Sequence, residues 1–205
     1  MIPVVTVAEM RAIDAATPDG VDHETLVDRA GTAVAAAALH LLGGAYGRRV
    51  VVVAGKGSNG ADGKVAAARL RRRGARVVVV DAGAAPERIG RHGEVDLVID
   101  AAYGTGFHGT YNAPSVPAGV RVLAVDIPSG VDGDSGVAGG APLRADVTVT
   151  FAALKPGLLQ GDGPALAGRV EVVDIGLDVS RARLWVVEDA DVARLLPVRD
   201  RGAYK

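Results

Sequence analysis

Arg49-Val50-Val51-Val52-Val53-Ala54-Gly55-Lys56-Gly57-Ser58-Asn59-Gly60-Ala61-Asp62-Gly63 decides the fold. Val50 to Ala54 is an unbroken apolar run closed by Gly55. A strand half-exposed to water would alternate apolar with polar, so this one is covered on both faces. The glycines that follow have the spacing G-x-G-x-x-G, which lets a backbone turn tightly and come close to a phosphate. Ala61 to Arg73 then favours a helix, whose free amides and positive dipole end would face an anion. This is not a P-loop: Gly63-Lys64 is followed by Val65, and Ser58 stands where the first required glycine would be.

The same texture recurs downstream. Arg76 to Asp81, Val95 to Asp100 and Arg121 to Asp126 are apolar runs that each end on an aspartate. Ala145 to Phe151, Arg169 to Ile175 and Leu184 to Val187 are further strand-like segments, and a short helix from Asp189 to Leu196 follows. The connection from Asp81 to Val95 is short and rich in Gly, Ala and Arg, so any crossover helix in it must be small. Upstream, Thr6 and Glu9 have the spacing of a capping box. Leu26, Ala30, Val34, Ala37 and Leu41 put one apolar stripe on a second helix that Gly43-Gly44 ends. Strands alternating with helices predict a Rossmann-like, doubly wound domain: a mostly parallel sheet inside three α/β/α layers.

Composition narrows the classes of function. A chain of 205 residues fits one such domain, expected over residues 1–196 with 197–205 as a linker or tail. The net charge of -1 argues against a nucleic-acid partner, and the Arg71-Arg72-Arg73 cluster belongs to a helix end, where cations suit the dipole. The absence of cysteine excludes disulfides, thiolate metal sites and cysteine nucleophiles. The longest apolar stretch, Ala33 to Leu42, is broken by His40 and falls far short of the roughly 20 residues that span a bilayer. With no basic region and hydrophobic segment at the N-terminus, the expectation is a cytoplasmic protein without membrane contact.

Ligands of open parallel sheets bind at the carboxyl ends of the strands, so Asp81, Asp100 and Asp126 are expected to converge on one edge. Asp81 falls where a ribose-binding acid would stand. Ser58, Asn59 and Asp62 add polar side chains beside a buried strand end, where they need partners that a ligand could supply. The loop after Asp100 interleaves Gly104, Gly106 and Gly109 with Thr105 and Thr110, a collar able to offer several backbone amides to phosphate or ribose. His108 within it is a candidate acid or base. After Asp126, Pro128-Ser129-Gly130 fixes the chain direction; Asp132 and Asp134 lack the other ligands of a calcium loop and read as turn residues. Lys155 follows the fifth strand, in a chain with 19 Arg and only four Lys. Because lysine can lose its proton when desolvated and arginine cannot, Lys155 is a candidate for proton transfer or for contact with developing charge.

These motifs resemble the YjeF N-terminal family. Leu26-Val27-Asp28-Arg29-Ala30-Gly31 is similar to its second-helix signature, Gly57-Ser58-Asn59-Gly60-Ala61-Asp62-Gly63 to its nucleotide loop, and Asp126-Ile127-Pro128-Ser129-Gly130 to its most diagnostic run. Asp100 with Gly104 to Thr110, and Lys155 with Pro156-Gly157, fall in register. The resemblance implies an NAD(P)H-hydrate epimerase, whose substrate carries a hydroxyl, gained by water addition, on the carbon beside the nicotinamide ring nitrogen. That carbon is a hemiaminal. It can lose hydroxide to an iminium or open to an aldehyde and close on the other face, by proton transfer with no redox cofactor consumed.

Carried over by resemblance, Ser58, Asn59, Gly60, Ala61, Asp62, Gly104, Thr105, Gly106, Phe107, His108, Gly109, Thr110 and Asp126 hold the nucleotide. Asn59, Asp100 and Ser129 contribute to a potassium (K+) site. Asp126 is the expected base and Lys155 the acid or electrostatic partner. The resemblance also implies a homodimer, and an ATP- or ADP-dependent NAD(P)H-hydrate dehydratase, fused or separate, that uses one epimer only; Pro197 to Lys205 resembles the linker to it. Ser58 replaces a second Asn of the family pattern, and Ala61 a Gly. Two rival readings are an NAD-dependent oxidoreductase, which leaves Asp126 and Lys155 without a role, and a non-catalytic binding or scaffold module.

Overall fold

The computed structural model describes residues 1–16, 22–91 and 93–196. The linker expected at 197–205 lies outside the described residues. The chain runs β1 (Ile2–Val4), α1 (Val7–Ala15), α2 (His23–Leu42), β2 (Arg49–Ala54), α3 (Ser58–Arg72), β3 (Arg76–Asp81), β4 (Leu97–Ala101), β5 (Tyr111–Asn112), β6 (Arg121–Val125), β7 (Gly140–Ala141), β8 (Val147–Phe151), α4 (Gly163–Ala167), β9 (Arg169–Val173), β10 (Leu184–Val186) and α5 (Asp189–Leu195). The apolar runs form one six-stranded sheet, ordered β3-β2-β4-β6-β8-β9, with every pairing parallel. The chain moves outward from β2 to β3, then crosses back to β4 on the other side. The crevice at the carboxyl ends of β2 and β4 is therefore the switch point where such sheets bind ligands.

Strand pleating sorts side chains onto two faces. Val50, Val52, Ile99, Leu123, Val125 and Val149 bury against the stripes of α1, α2 and α3. That layer is helical because its segments carry caps and periodicity: Thr6 and Glu9 make the expected capping box, and Asp22 caps α2 through the Thr25 amide. The opposite face, with Val53, Val98, Val122 and Ala124, carries a thinner layer. Among the described residues it is covered by loop side chains such as Ile89 and Val116, by Tyr111 in the two-residue pairing of β5 with β7, and at β8 by the five-residue α4, whose Ala167 carbonyl accepts from Thr148 Oγ1. Among its described residues, the 81–95 connection carries one three-residue 3-10 turn, Ala82–Ala84. Leu184–Val186 pairs antiparallel with β1 and stays outside the main sheet.

Two glycines set how deeply the helical layer sits. A Cβ on Gly31 would lie 2.5 Å from the Val65 Cβ, and one on Gly63 would lie 2.5 Å from the Ala101 Cβ. Their absence lets α2 close on α3, and α3 settle on β4.

Candidate active site

The strand-to-helix turn after β2 is tighter than its glycine content implies. Helix α3 begins at Ser58, not near Ala61, with Gly57 as its N-cap and no side chain capping it. Ser58, Asn59 and Gly60 thus form the open first turn, with their amides free of intrahelical partners. A Cβ on Gly55 would strike the Ala102 carbonyl and one on Gly60 the Gly55 carbonyl, whereas Gly57 faces open space. The fingerprint glycines at 55 and 60 therefore serve close backbone approach, which also holds the turn against β4.

Just past β6 and β8 the backbone makes two matching three-residue turns. Asp126 (φ 68°) and Ala152 (φ 63°) are the non-glycine residues with positive φ among those described. Each turn is closed across its central residue, by the Ile127 amide on the Val125 carbonyl at 2.9 Å and the Ala153 amide on the Phe151 carbonyl at 2.7 Å. Aspartate tolerates this region better than most residues.

The Lys155 ammonium, 1% exposed, lies between the two turns. It donates to Asp126 Oδ1 at 2.7 Å, Thr150 Oγ1 at 2.8 Å and the Phe151 carbonyl at 2.9 Å, so all three of its N–H groups are engaged. Thr150 Oγ1 also donates to Asp126 Oδ1 at 3.1 Å, and the Thr105 amide to Oδ2 at 3.4 Å. Burial works to raise the Asp126 pKa, but the Lys155 charge and these hydrogen bonds together outweigh it and hold the carboxyl below the ordinary range. Asp126 is ionised at neutral pH, with one oxygen turned to the loop at Thr105.

Beneath the crevice lies a second polar group. Asp100 is 1% exposed. It accepts from Ser129 Oγ at 2.6 Å, the Ser129 amide at 2.9 Å and the Ala102 amide at 3.4 Å, while Ser129 Oγ accepts from the Tyr103 amide at 2.9 Å. Burial raises the Asp100 pKa despite these bonds, because no cation stands beside it among the described residues. Both amide atoms of the buried Asn59 side chain lack a partner, as does the Tyr111 hydroxyl. An uncompensated carboxylate, an orphaned amide and a hydroxyl are an oxygen donor set suited to a hard cation of low charge.

A cavity of about 1050 Å³ opens over the strand ends. Ser58, Asn59, Asp62, Gly104, Thr105, Gly106, Phe107, Asp126 and Lys155 line it, so the first-helix turn, the collar and the ion pair of the sequence reading meet in one space. Gly60, Ala61, His108, Gly109 and Thr110 lie off its walls, and Asp100 and Ser129 lie below them. His108 is exposed, with Nδ1 at 3.7 Å from Asp132 Oδ2. Asp132 and Asp134 take structural parts: Asp132 caps the turn at Ser135, and Asp134 accepts from the Val7 amide at the start of α1. Phe107 stacks on Tyr103 at 4.3 Å between ring centroids. Asp81 reaches the rim, where its side chain accepts from the Gly83 amide.

Sequence reasoning missed the opposite wall. Met10, Arg11 and Asp14 of α1, with Leu26, Val27 and Ala30 of α2, face the same cavity. Leu26 and Ala30 are legible as core and as part of the second-helix signature but not as cavity wall, since an apolar stripe looks the same whether it meets a sheet or a ligand.

The family model described as YjeF-related protein N-terminus matches residues 23–90 and 80–157. A protein of Salinibacter ruber named bifunctional NAD(P)H-hydrate repair enzyme Nnr is 36% identical over 257 residues, covering 99% of this chain and 47% of its own length. One of Microbacterium testaceum named NAD(P)H-hydrate epimerase is 41% identical over 180 residues, covering 72% of this chain and 70% of its own length. The chain spans about half the length of the bifunctional relatives it matches. The crystal structure of yeast ynu0 superposes with a TM-score of 0.60 at 21% identity, covering 83% of this chain and 87% of the other, a likeness of fold.

Proposed function

The chain belongs to the family of YjeF-related protein N-termini, and from that premise we propose that it interconverts the R and S forms of hydrated NADH and NADPH. The observation that carries the reading is the Asp126–Lys155 pair, 2.7 Å apart in the wall of a nucleotide-sized cavity whose other side is a glycine turn opening α3. Phosphate oxygens suit the free amides of Ser58 to Gly60, and the collar from Gly104 to Thr110 closes over ribose. Gly60, Ala61, His108, Gly109 and Thr110 belong to this part of the reading as backbone or rim positions. Asp126 is the base. It is ionised at neutral pH, and proton transfer by a positioned carboxylate contributes about 10² to 10⁴ in rate. Lys155 keeps Asp126 charged and oriented. With three acceptors holding its protons, it acts as the electrostatic partner and not as the acid.

We place a potassium ion against Asn59, Asp100 and Ser129, the donor set with an orphaned amide and an uncompensated carboxylate; such an ion would supply fixed positive charge beneath the nucleotide. The chemistry moves protons and a water molecule with no change of oxidation state, so no redox cofactor is consumed. Residues 1–196 act as the epimerase unit, in the cytoplasm, as a homodimer. A dehydratase that removes the hydrate, fused or separate, consumes the product. No helix among the described residues is long and apolar enough to cross a membrane.

Proton NMR of a mixture enriched in one hydrate epimer tests the proposal. Added protein is expected to speed the return to equilibrium well beyond the buffer rate. If the epimer signals exchange no faster than in buffer, the function is wrong; an absorbance change with NAD and simple alcohols would favour the oxidoreductase reading instead.

A further inference from the structure

Breaking the bond to the hydroxyl of the hydrate needs an acid as well as a base, and the ion pair does not supply one: Asp126 is ionised, and Lys155 has no free N–H. The cavity does contain another carboxyl. Asp62 lies one helical turn beyond Asn59 on α3, 6% exposed, and lines the cavity without a hydrogen bond or ion pair to any described residue. We propose that Asp62 is a second catalytic residue, the carboxylic acid that delivers the proton to the departing hydroxyl. The inference rests on the epimerase reading and deepens it.

The surroundings of Asp62 favour the protonated form. Leu26, Val27 and Ala30 of α2 line the same cavity, and α2 presses so closely that a Cβ on Gly31 would lie 2.8 Å from the Asp62 carbonyl oxygen. Burial first, and the Asp126 charge second, push the Asp62 carboxyl up to about 8. The other ionisable groups of the cavity come from several elements. Arg11 and Asp14 are on α1 and His23 on α2; Lys56 and Asp81 are at the rim; Tyr103 and Lys155 are on the strand-end side. None of them is hydrogen-bonded to Asp62. Among the cavity's carboxyls, Asp126 is stabilised as the anion and Asp62 as the acid, the division by which a single site runs acid and base chemistry at one pH.

The Asp62 O–H proton passes to the substrate hydroxyl, and the carbon–oxygen bond breaks with its electron pair leaving as water. The ring-nitrogen lone pair forms the C=N bond of the iminium. Water adds to the same carbon from the other face, and its surplus proton passes to the Asp126 carboxylate. In the reverse direction the two carboxyls exchange parts, and a proton returned through water resets them. Nothing is oxidised or reduced.

Asp62→Asn in the full chain tests this, with kcat and KM of epimer exchange followed by NMR across the range of about pH 6 to about pH 9. The variant is expected to lose about 10²-fold in kcat with KM changed less than about threefold. The wild-type rate should fall as pH rises through about 8, where Asp62 loses its proton, and this alkaline limb should be absent from the variant. A variant with wild-type kcat, or one whose loss lies wholly in KM, overturns the proposal and leaves the epimerase reading standing. If the variant does not fold, ¹³C NMR of the Asp62 carboxyl in the unaltered protein decides: titration in the ordinary carboxylate range overturns it. A wild-type protein that exchanges the epimers at the buffer rate overturns both together.

Discussion

Asp126 occupies a backbone position, φ 68°, that few side chains accept, and this limits which substitutions isolate its charge. Asparagine shares aspartate's tolerance of the left-handed region, so Asp126→Asn keeps the turn and removes only the anion. That leaves the Lys155 ammonium, 1% exposed, beside a neutral amide. Epimer exchange should drop by at least about 10²-fold, and denaturant unfolding should show a loss of about 3–5 kcal/mol, the cost of stranding one partner of a buried pair. Adding Lys155→Met should recover most of that stability and none of the rate. Equal stability of the single and double variants would mean that Lys155 finds another counterion. The sequence makes the chemistry of this pair legible, through strand-ending Asp126 and a rare lysine. It hides the geometry, because nothing in Val125-Asp126-Ile127 or Phe151-Ala152-Ala153 marks a positive φ. Burial of Asp62 was equally hidden, since it depends on α2 packing over α3, a contact no local pattern reveals.

Helix α3 ties the fold to the site, and its early start is obscured for a physical reason: Gly57 at the N-cap and Gly60 in the first turn are poor helix formers, so the helical signal appears only from Ala61 onward. Tertiary contact overrides propensity here, with Gly60 against the Gly55 carbonyl and Gly63 against Ala101. Gly63→Ala sets the two effects against each other. Alanine favours a helix by roughly 0.8–1.0 kcal/mol, but its Cβ would sit 2.5 Å from the Ala101 Cβ and 3.1 Å from Val52 Cγ1. Overpacking of that kind costs about 1–3 kcal/mol, so the variant should be less stable in urea, and kcat should fall as Asn59 and Asp62 shift with the helix. A more stable variant would show that α3 is free to move off β4. At the same scale, the pattern of strands alternating with helices gives the parallel sheet and its α/β layering, with the second layer much thinner than the first. The segments after β3 and β4 are rich in glycine, a poor helix former, and side chains such as Ile89 and Tyr111 cover that face.

Across the whole molecule, the strand-end edge concentrates carboxyls whose protonation is coupled to folding, with opposite signs. Asp126 is held below its ordinary pKa, so its contribution is present above the unfolded value and is lost only as pH falls through the lower folded one. Asp62 is raised to about 8. Above about pH 4 the unfolded chain releases that proton while the folded chain keeps it, so stability falls by up to about 1.4 kcal/mol per pH unit until about pH 8 and then levels. Asp100, raised by burial, acts in the same direction. Unfolding free energy should therefore decline from about pH 5 to about pH 8, and Asp62→Asn should decline less, its advantage over wild type growing with pH; parallel curves would mean that Asp62 ionises normally. A bound cation would oppose this decline, because it stabilises the ionised Asp100. If potassium binds at Asn59, Asp100 and Ser129, replacing tetramethylammonium chloride by potassium chloride at equal ionic strength should raise Tm more at about pH 8 than at about pH 5, following the free-ligand linkage. Asp100→Asn should erase the difference between the salts. A Tm indifferent to the cation, or a gain that survives in Asp100→Asn, removes the ion from this site while leaving the Asp62 curve to be judged alone.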